Sequence, residues 1–282
     1  LYDRGLTNKV PKEFLKIISH EEVMKREPNI NPKVTKALVC SSSWAIDPVA
    51  ATKAFFGVSE NNGTEIHRNS EVTKIKYLSD EDKKYFEITI NGKDKFYARN
   101  IINAAGHYAD TIAEIAGYPD FKQMTRRGEY RIISRSERNK INSIIFMVPT
   151  IHGKGVIVAP MLDGNVLVGP TAEENINKSE TRFVTREKYD LIGKIGNKII
   201  PNLDLDKTVM TFSGSRPIDI ATNDFVIQYA KENKHFINAA GMQSPAIASA
   251  PAIALEIAKL LNNNGTKMTK NKSFNGKYKM MY

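Results

Sequence analysis

The stretches IINAAGHYADTIAEIAG, residues 101–117, and HFINAAGMQSPAIASAPAIALEIAKLL, residues 235–261, share the five-residue word INAAG. Each word ends a short apolar run typical of a strand, and a helical pattern follows each of them. Small residues at the end of a strand let another backbone or a flat ligand approach the main-chain N–H groups closely. On this observation alone, tight helix–sheet packing between common small residues is an equally good explanation.

The composition of the 282 residues narrows the class of protein. Hydrophobic residues make up 41% of the chain, which is enough for one large core or two interleaved domains. No apolar run is long enough to span a bilayer, and the five histidines show no metal-ligand spacing. The single cysteine, Cys40, excludes an internal disulfide and is expected to be a buried thiol in a reducing compartment. The sequence therefore predicts a cytoplasmic protein without zinc chemistry.

The formal net charge is +10, and part of this excess lies in the basic C-terminal tail. Lysines without acids, as in this tail, are typical of a solvated or frayed chain end. Elsewhere acids and bases alternate, and no basic helix face carries stacking aromatics, so nucleic-acid binding is not predicted. The charge is compatible with peripheral membrane association, and equally with a positive field that attracts a small anionic substrate.

The order of local patterns indicates two interleaved domains. Helix–strand segments at both ends of the chain flank a mostly antiparallel middle. Asp47-Pro48 is a good beginning for a helix, and Asn91-Gly92 between alternating apolar residues predicts a hairpin. A strand is also expected at TEIHRN, residues 64–69, and a helix at about residues 186–200.

Five stretches then carry a family resemblance: NAAGHYADTIAEIAG, GEYRIIS, HGKGVIVAPMLDGNVLVGPTAEE, SGSRP and NAAGMQSPAIASAPAIA. Together they resemble the FAD-dependent glycerol-3-phosphate oxidases and dehydrogenases, within the D-amino-acid-oxidase-like flavoprotein superfamily. The NAAG segment marks the whole superfamily. The GKGVIVAP, GNVLVGPTAEE and GMQSPA segments resemble a smaller group of these proteins and favour the glycerol-3-phosphate branch. The resemblance extends over most of residues 1–261.

The resemblance implies a mixed α/β (α+β) fold in which a Rossmann-like FAD-binding domain, incomplete at its N-terminus, is interleaved with a mostly antiparallel substrate domain. The substrate domain would comprise residues 1–43 and 120–219. The FAD-binding domain would comprise residues 44–119 and 220–262, followed by the basic tail, 263–282. Both INAAG words would then end parallel strands of one sheet, at the crevice beyond their carboxyl ends where such sheets bind ligands.

The same resemblance implies which residues contact the cofactor, FAD. They are Val72, Ala105, Gly106, Gly241, Met242, Gln243 and Ser244. The valine would place its main chain near the adenine, although a core valine is compatible with the same position. The alanine and glycine of the first word would approach the dinucleotide with their backbone. The last four residues would pass the flavin and pyrophosphate at a helix N-terminus.

Three residues are implied in substrate binding: Lys154, Arg216 and Ser244. Arg216 offers a planar fork of donors for carboxylate or phosphate, with an ordinary ion pair as the alternative. Lys154 resembles a substrate-site lysine of the family, and an exposed loop lysine is its alternative. Two cations in one pocket suit a phosphate dianion. Ser244 is equally compatible with a helix cap. Arg126 and Arg127, in contrast, are expected to be surface charges.

The G-x-G-x-x-G turn that opens the family's FAD fold is missing from these residues. The nearest match, Gly153-Lys154-Gly155, has Val158 in place of the third glycine and lies in a hairpin pattern. The acidic residue for the adenosine ribose and the histidine proposed as general base in the family are missing too. We therefore expect a piece of a longer protein, short of roughly a hundred N-terminal residues. The piece alone is expected to be inactive.

For the whole protein, the resemblance implies oxidation of glycerol 3-phosphate to dihydroxyacetone phosphate. Electrons would pass to oxygen, giving hydrogen peroxide, or to a quinone. Two alternatives stay open: a flavin enzyme acting on a 2-hydroxy or amino acid, and a non-catalytic binding module. A sheet without its first strands exposes an edge, which predicts self-association.

Overall fold

The computed structural model describes residues 1–79, 84–149 and 155–278. The helices in these residues are α1 (Tyr2–Thr7), α2 (His20–Arg26), α3 (Pro48–Asn61), α4 (Ala109–Ile115), α5 (Arg186–Ile199) and α6 (Ala246–Asn263). The strands are β1 (Leu15–Ser19), β2 (Lys36–Cys40), β3 (Val72–Ser79), β4 (Lys84–Ile90), β5 (Asp94–Ala98), β6 (Ile101–Asn103), β7 (Gln123–Ile133), β8 (Ile145–Phe146), β9 (Ile157–Pro160), β10 (Val166–Gly169), β11 (Glu173–Glu174), β12 (Thr208–Asp219), β13 (Val226–Ala230) and β14 (Asn233–Ala240). This mixture of helices and strands confirms the predicted α/β class.

The chain divides into two compact units, and each unit is made of three chain segments. Unit 1 comprises Leu1–Asp47, Arg127–Glu173 and Ser179–Gly214. Unit 2 comprises Pro48–Arg126, Glu174–Lys178 and Ser215–Tyr282. The assignment of a substrate domain and an FAD-binding domain to particular boundaries stays a prediction.

Unit 1 is built around an antiparallel sheet. The strand order is β11-β7-β10-β9-β8, and β12 also pairs with β7. Helix α5 packs on β9 and β10, and its Ile192 joins a core that includes Ile133, Val158, Val166 and Val168. The apolar side chains recur on one face of the helix and on alternate strand positions, so that face and the sheet bury each other. Strands β1 and β2 form a separate antiparallel pair.

Unit 2 contains the two INAAG words in one three-stranded sheet, ordered β13-β14-β6. Strand β14 runs parallel to β6, and Asn238 lies opposite Asn103 in the register. The words therefore end neighbouring parallel strands, as the family resemblance implied. Strands β3, β4 and β5 form a second, antiparallel sheet, and Phe86 of β4 packs edge-on against Phe236 of β14. No helix in the described residues is both long enough and apolar enough to cross a membrane.

Local signals in the sequence were reliable at several element ends. The hairpin between β4 and β5 turns at Asn91 and Gly92, with φ values of 52° and 74°, the left-handed conformation that this dipeptide favours. Helix α3 begins at Pro48, as predicted. Helix α2 begins with a capping box in which Ser19 and Glu22 bond to each other's main-chain N–H groups.

The strand expected at residues 64–69 does not form. Asn69 has φ 54°, and its carbonyl oxygen accepts a hydrogen bond from Asn91 Nδ2 at 2.9 Å. Two residues later, the carbonyl oxygen of Glu71 accepts a hydrogen bond from the Asn91 N–H at 2.8 Å. The segment is therefore tied to the β4–β5 turn through its own backbone and adds no strand to the sheet.

Two expectations about exposure were wrong. Cys40 ends an edge of the β1–β2 pair and is exposed, and a hydrogen bond with Ser42 lowers the pKa of its thiol. Arg127 is only 5% exposed, because its guanidinium donates to Glu173 at 2.6 Å and lies 3.2 Å from the buried Glu129. Opposite charges compensate each other in the interior of unit 1, which a sequence pattern of alternating charge does not reveal.

The basic tail, expected to be a frayed end, contacts α3 as far as it is described. The Asn275 N–H donates to Asn62 Oδ1 at 3.0 Å, and Asn62 Nδ2 donates back to the Asn275 carbonyl at 2.9 Å. The ring of Tyr278 occupies the space that a Cβ atom at Gly57 would need. Residues beyond 278 lie outside the described part of the chain.

Candidate functional site

The carboxyl ends of β6 and β14 lie side by side in unit 2, and the asparagines of the repeated word join them. Asn103 Nδ2 donates to Asn238 Oδ1 at 2.9 Å and to the Ala109 carbonyl at 2.7 Å. Asn103 is 2% exposed and Asn238 is fully buried. Because a buried amide left without a partner costs free energy, this pair fixes the two strand ends in one register.

After Asn103 and after Asn238, the chain turns through left-handed backbone conformations. The φ values are 55° at Gly106, 66° at Gly241 and 48° at Gln243. Apart from its chain neighbours, no heavy atom of the described residues lies within 4 Å of the Cβ position at Gly106, whereas a Cβ at Gly241 would lie 2.7 Å from the Asp224 carbonyl oxygen. The first turn is therefore open on its Cβ side and exposed, and the second turn is packed against protein.

Gln123, the first residue of β7, hydrogen-bonds to both turns. Its Nε2 donates to the Gly106 carbonyl at 3.0 Å, and its Oε1 accepts from the Gly241 N–H at 2.8 Å. The residue is 7% exposed. A single buried amide therefore connects the two INAAG turns.

A buried ion pair lies beside the first turn. Lys178 Nζ donates to Asp110 Oδ1 at 2.5 Å, and Asp110 Oδ2 accepts from the Gln123 N–H at 3.1 Å. Burial alone would raise the pKa of Asp110, but the hydrogen bonds from Lys178 and Gln123 lower it, so the carboxylate is ionised at neutral pH. Burial, followed by the charge of Lys178, lowers the pKa of His107, which is therefore neutral at the same pH. Both ring nitrogens of His107 are buried without a partner among the described residues.

The second turn leads into α6, an 18-residue helix. Its N-cap residue is Pro245, whose side chain makes no capping hydrogen bond, so Ser244 is not the N-cap residue. Helix N–H groups without a cap are available to an anion or to water. The Gln243 N–H donates to the Pro217 carbonyl at 3.2 Å, which places this turn beside the segment of β12 that carries Arg216.

The two parallel strands therefore end in two glycine turns, and the second turn leads directly into the N-terminus of α6. The profile of the family described as FAD dependent oxidoreductase matches residues 2–260. The chain belongs to this family.

Relatives of this FAD-dependent oxidoreductase cover nearly all of the chain. Glycerol 3-phosphate oxidase from Mycoplasma pneumoniae is 44% identical, over 99% of this chain and 72% of the relative. The enzyme of the same name from Mycoplasma genitalium is 45% identical, over 100% of this chain and 72% of the relative. The solved structure of dithionite-reduced L-α-glycerophosphate oxidase from Mycoplasma pneumoniae with FAD bound superimposes with a TM-score of 0.93 at 42% identity, over 99% of this chain and 72% of that one.

The residues at the two turns fit the family's cofactor. The described residues leave the Cβ side of Gly106 clear within 4 Å, apart from its chain neighbours, which suits the close approach of a flat dinucleotide to that backbone. The uncapped start of α6 presents main-chain N–H groups, which suit the pyrophosphate of FAD. Ala105 and Gly106 on one side, and Gly241 to Ser244 on the other, would hold the cofactor there.

The structure brings some of the predicted residues together and separates others. Gly106 and Gly241 share Gln123 as a partner. Val72 begins β3 in the other sheet of unit 2, where its side chain packs against the hydrophobic core, as the alternative interpretation expected. Arg216 is half-buried in β12. Lys154 lies outside the described residues. The contacts of these residues with FAD and substrate stay predictions.

The sequence analysis missed the polar side chains that support the turns: Asn103, Asp110, Gln123, Lys178 and Asn238. The repetition of asparagine in both words was an available signal for the buried pair, since small residues alone do not require it. The glutamine and the lysine gave no signal. They lie 17 and 68 residues from their partners Gly106 and Asp110, and a sequence pattern does not specify such contacts.

Proposed function

We propose that the protein oxidises the secondary alcohol of glycerol 3-phosphate, giving dihydroxyacetone phosphate, with oxygen as the electron acceptor and hydrogen peroxide as the second product. The observation that carries this proposal is the similarity, over nearly the whole chain, to two enzymes named glycerol 3-phosphate oxidase. The two glycine turns support it, because they are where a bound FAD would lie in this family. The alternative electron acceptor is a quinone, and the experiment must distinguish it from oxygen.

The reaction removes a hydride from the substrate carbon and a proton from its hydroxyl group. Bound FAD supplies the two-electron acceptor for that hydride. The proton requires a base close to the hydroxyl, and we assign none of the described residues to this role. Oxygen then takes up two electrons and two protons, which balances the formation of hydrogen peroxide.

Substrate anchoring is the task we assign to this chain. Arg216 would bond two phosphate oxygens with its planar guanidinium, and Lys154 would neutralise the second negative charge. The position of Arg216 next to Pro217 supports this role, because the Pro217 carbonyl accepts the Gln243 N–H of the second turn. The exposed Ser244 hydroxyl at the same turn would donate to the substrate.

The test is an absorbance spectrum of the full-length protein purified with FAD, followed by anaerobic addition of substrate. We expect a flavin spectrum that glycerol 3-phosphate bleaches and that air restores, with one hydrogen peroxide formed per oxygen consumed. A flavin bleached only by a 2-hydroxy or amino acid would contradict the proposed substrate. A bleached flavin that only a quinone reoxidises would contradict the proposed acceptor. A full-length protein that binds no flavin would favour the binding module.

The Arg216→Met variant tests the anchoring role. It should raise the KM for glycerol 3-phosphate by roughly 10-fold to 100-fold, since a charge-assisted, bidentate contact is lost. Arg186→Met is the matched control, because Arg186 has an 84% exposed side chain and pairs only on the surface of α5. Equal KM values for the two variants would show that Arg216 does not bind the phosphate.

A further inference from the structure

We propose that Gln123 is a positioning residue for FAD, and that its side chain holds the Gly106 turn in the conformation that receives the cofactor. This inference rests on the proposed placement of FAD at the two glycine turns. It assigns a role to a side chain that would lie behind the turns, on the protein side of the cofactor.

The two turns differ in what keeps them in place. The Gly241 turn is packed, since even a methyl group there would meet the Asp224 carbonyl oxygen at 2.7 Å. On the Cβ side of Gly106, apart from its chain neighbours, the described residues place no heavy atom within 4 Å. The turn is held instead by hydrogen bonds: the Gly106 carbonyl accepts from Gln123 Nε2 at 3.0 Å and from the Ala109 N–H, and the Ala105 carbonyl accepts from the Tyr108 N–H at 3.0 Å. Of these bonds, the one from Gln123 also ties the Gly106 turn to the packed Gly241 turn, since the same amide accepts from the Gly241 N–H.

An amide suits this position because it carries a donor and an acceptor at neutral pH. The Gly106 carbonyl accepts from Gln123 in addition to the Ala109 N–H, and the Gly241 N–H donates to the oxygen of the same amide. The opposite orientation of the amide would place donor against donor and oxygen against oxygen, so the hydrogen-bond partners fix its orientation. A carboxylate in its place would keep the bond to Gly241 and lose the bond to Gly106.

The main chain of Gln123 is fixed as well. Its N–H donates to Asp110 Oδ2 at 3.1 Å, and Asp110 is held in turn by Lys178 at 2.5 Å. Asp110 is 4% exposed, whereas the Lys178 side chain is 24% exposed, so the carboxylate is shielded from solvent and its ammonium partner is only partly shielded. Both the backbone and the side chain of Gln123 are therefore set before any ligand arrives.

Such preorganisation lowers the entropic cost of binding FAD. A turn that is already in its receiving conformation loses little freedom when the cofactor docks, whereas a released glycine turn must be ordered first. Removing the Gln123 amide should therefore weaken FAD binding more than its effect on folding would explain.

The experiment measures the dissociation constant of FAD, by flavin fluorescence or calorimetry, for full-length apoprotein carrying Gln123→Met or Gln123→Glu. We expect both variants to bind FAD about tenfold more weakly, since each removes the side-chain hydrogen bond that ties the Gly106 turn to the Gly241 turn. The Glu variant should regain affinity as the pH falls, because a protonated carboxyl group can donate to Gly106 again. The Met variant should show no such recovery.

Two matched variants separate positioning from general damage. Lys122 precedes Gln123 in the chain and forms an exposed ion pair with Glu114. Lys122→Met removes this ion pair and should leave FAD affinity unchanged. Ile75→Val removes a methyl group from the buried core of unit 2 and should lower the thermal midpoint without a matching loss of affinity. The inference would be overturned if both Gln123 variants bound FAD with wild-type affinity. It would also be overturned if they lost no more FAD affinity than Ile75→Val when the variants are equally stable. A wild-type apoprotein that fails to bind FAD would overturn the proposed function and this inference together.

Discussion

Single polar residues decide more of this site than the small residues that first mark it. The alanines and glycines of the repeated word were recognisable from the sequence because they recur at the ends of apolar runs. The partners of the word were not recognisable. Asn103 and Asn238 are 135 residues apart, and Gln123 belongs to neither word. Sequence periodicity reports which face of an element is buried, but the pairing of buried amides depends on how distant segments meet.

At the same scale, Glu137 should make unit 1 sensitive to acid. Burial alone would raise its pKa, but hydrogen bonds from Lys140, from Lys207 and from the Asp204 N–H lower the pKa from 4.5 to about 2. The ionised carboxylate therefore stabilises the fold above pH 4.5, and this stabilisation is lost as the pH falls toward about 2. A pKa shift of that size corresponds to about 3 kcal/mol in the free energy of unfolding.

The Glu137→Gln variant should thus lower the free energy of unfolding most at neutral pH, and the difference from the wild type should shrink as the pH falls. Denaturant titrations at a series of pH values measure this difference. Glu187→Gln is the control, because Glu187 is 79% exposed in its pair with Lys188 and should have little effect at any pH. A pH-independent loss in Glu137→Gln would show that shape, and not charge, matters at this position.

At the scale of elements, predictions succeeded where the signal is local and failed where a partner decides. Helix α5 was expected at about residues 186–200 and is found at Arg186–Ile199, since its cap and its apolar face are both encoded within it. The segment 64–69 has strand-like residues but forms no strand, and Asn69 at its end bonds to Asn91 of the β4–β5 turn instead. Caps and turns act within a few residues, whereas strands need neighbours that the sequence does not name.

Thr185 connects helix α5 to the buried charges of unit 1. Its hydroxyl accepts from the Lys188 N–H at 3.3 Å as the N-cap, and it donates to Glu129, which is fully buried, at 3.2 Å. Thr185→Ala should lower the free energy of unfolding by about 1–2 kcal/mol, because the cap and one partner of a buried carboxylate are lost together.

Thermal or denaturant unfolding measures this loss, and two variants control it. Thr185→Ser keeps the hydroxyl and should stay close to the wild type. Ser134→Ala removes the cap of the short helix Arg135–Lys140 and should cost less, because the Ser134 hydroxyl bonds to the exposed Ser136 and, among the described residues, not to a buried carboxylate. The argument would be wrong if Thr185→Ser were as unstable as Thr185→Ala.

At the scale of the whole molecule, the interleaving of segments follows from where the repeated words lie. The words stand 135 residues apart, yet their strands pair directly in unit 2. Between them the chain contributes the segments Arg127–Glu173 and Ser179–Gly214 to unit 1. Neither word lies in that antiparallel part, so the sequence already indicated two interleaved domains. The sequence could not supply the exact residues at which the chain passes from one unit to the other, because these boundaries are defined by contacts and not by composition.

Unit 2 leaves apolar surface and a strand edge exposed, and we propose that the chain of 282 residues associates with itself through them. Strand β6 is an outer strand of its described sheet. A groove of about 400 Å³ lies between α3 and α6 and is lined by Phe55, Phe56, Ile247 and Pro251, among others. The two phenylalanines are 58% and 53% exposed. Apolar patches and open edges of this kind favour association.

Sedimentation velocity over a range of concentrations tests this proposal. We expect the 282-residue chain to form dimers or larger species, and the double variant Phe55→Gln, Phe56→Gln to shift toward monomer because the groove loses its apolar wall. Phe183→Gln is the control, since Phe183 is 61% exposed, belongs to unit 1 and does not line the groove. The chain spans 72% of the length of the two Mycoplasma relatives. A 282-residue chain that is monomeric at every concentration would show that the groove and the β6 edge are tolerated in water.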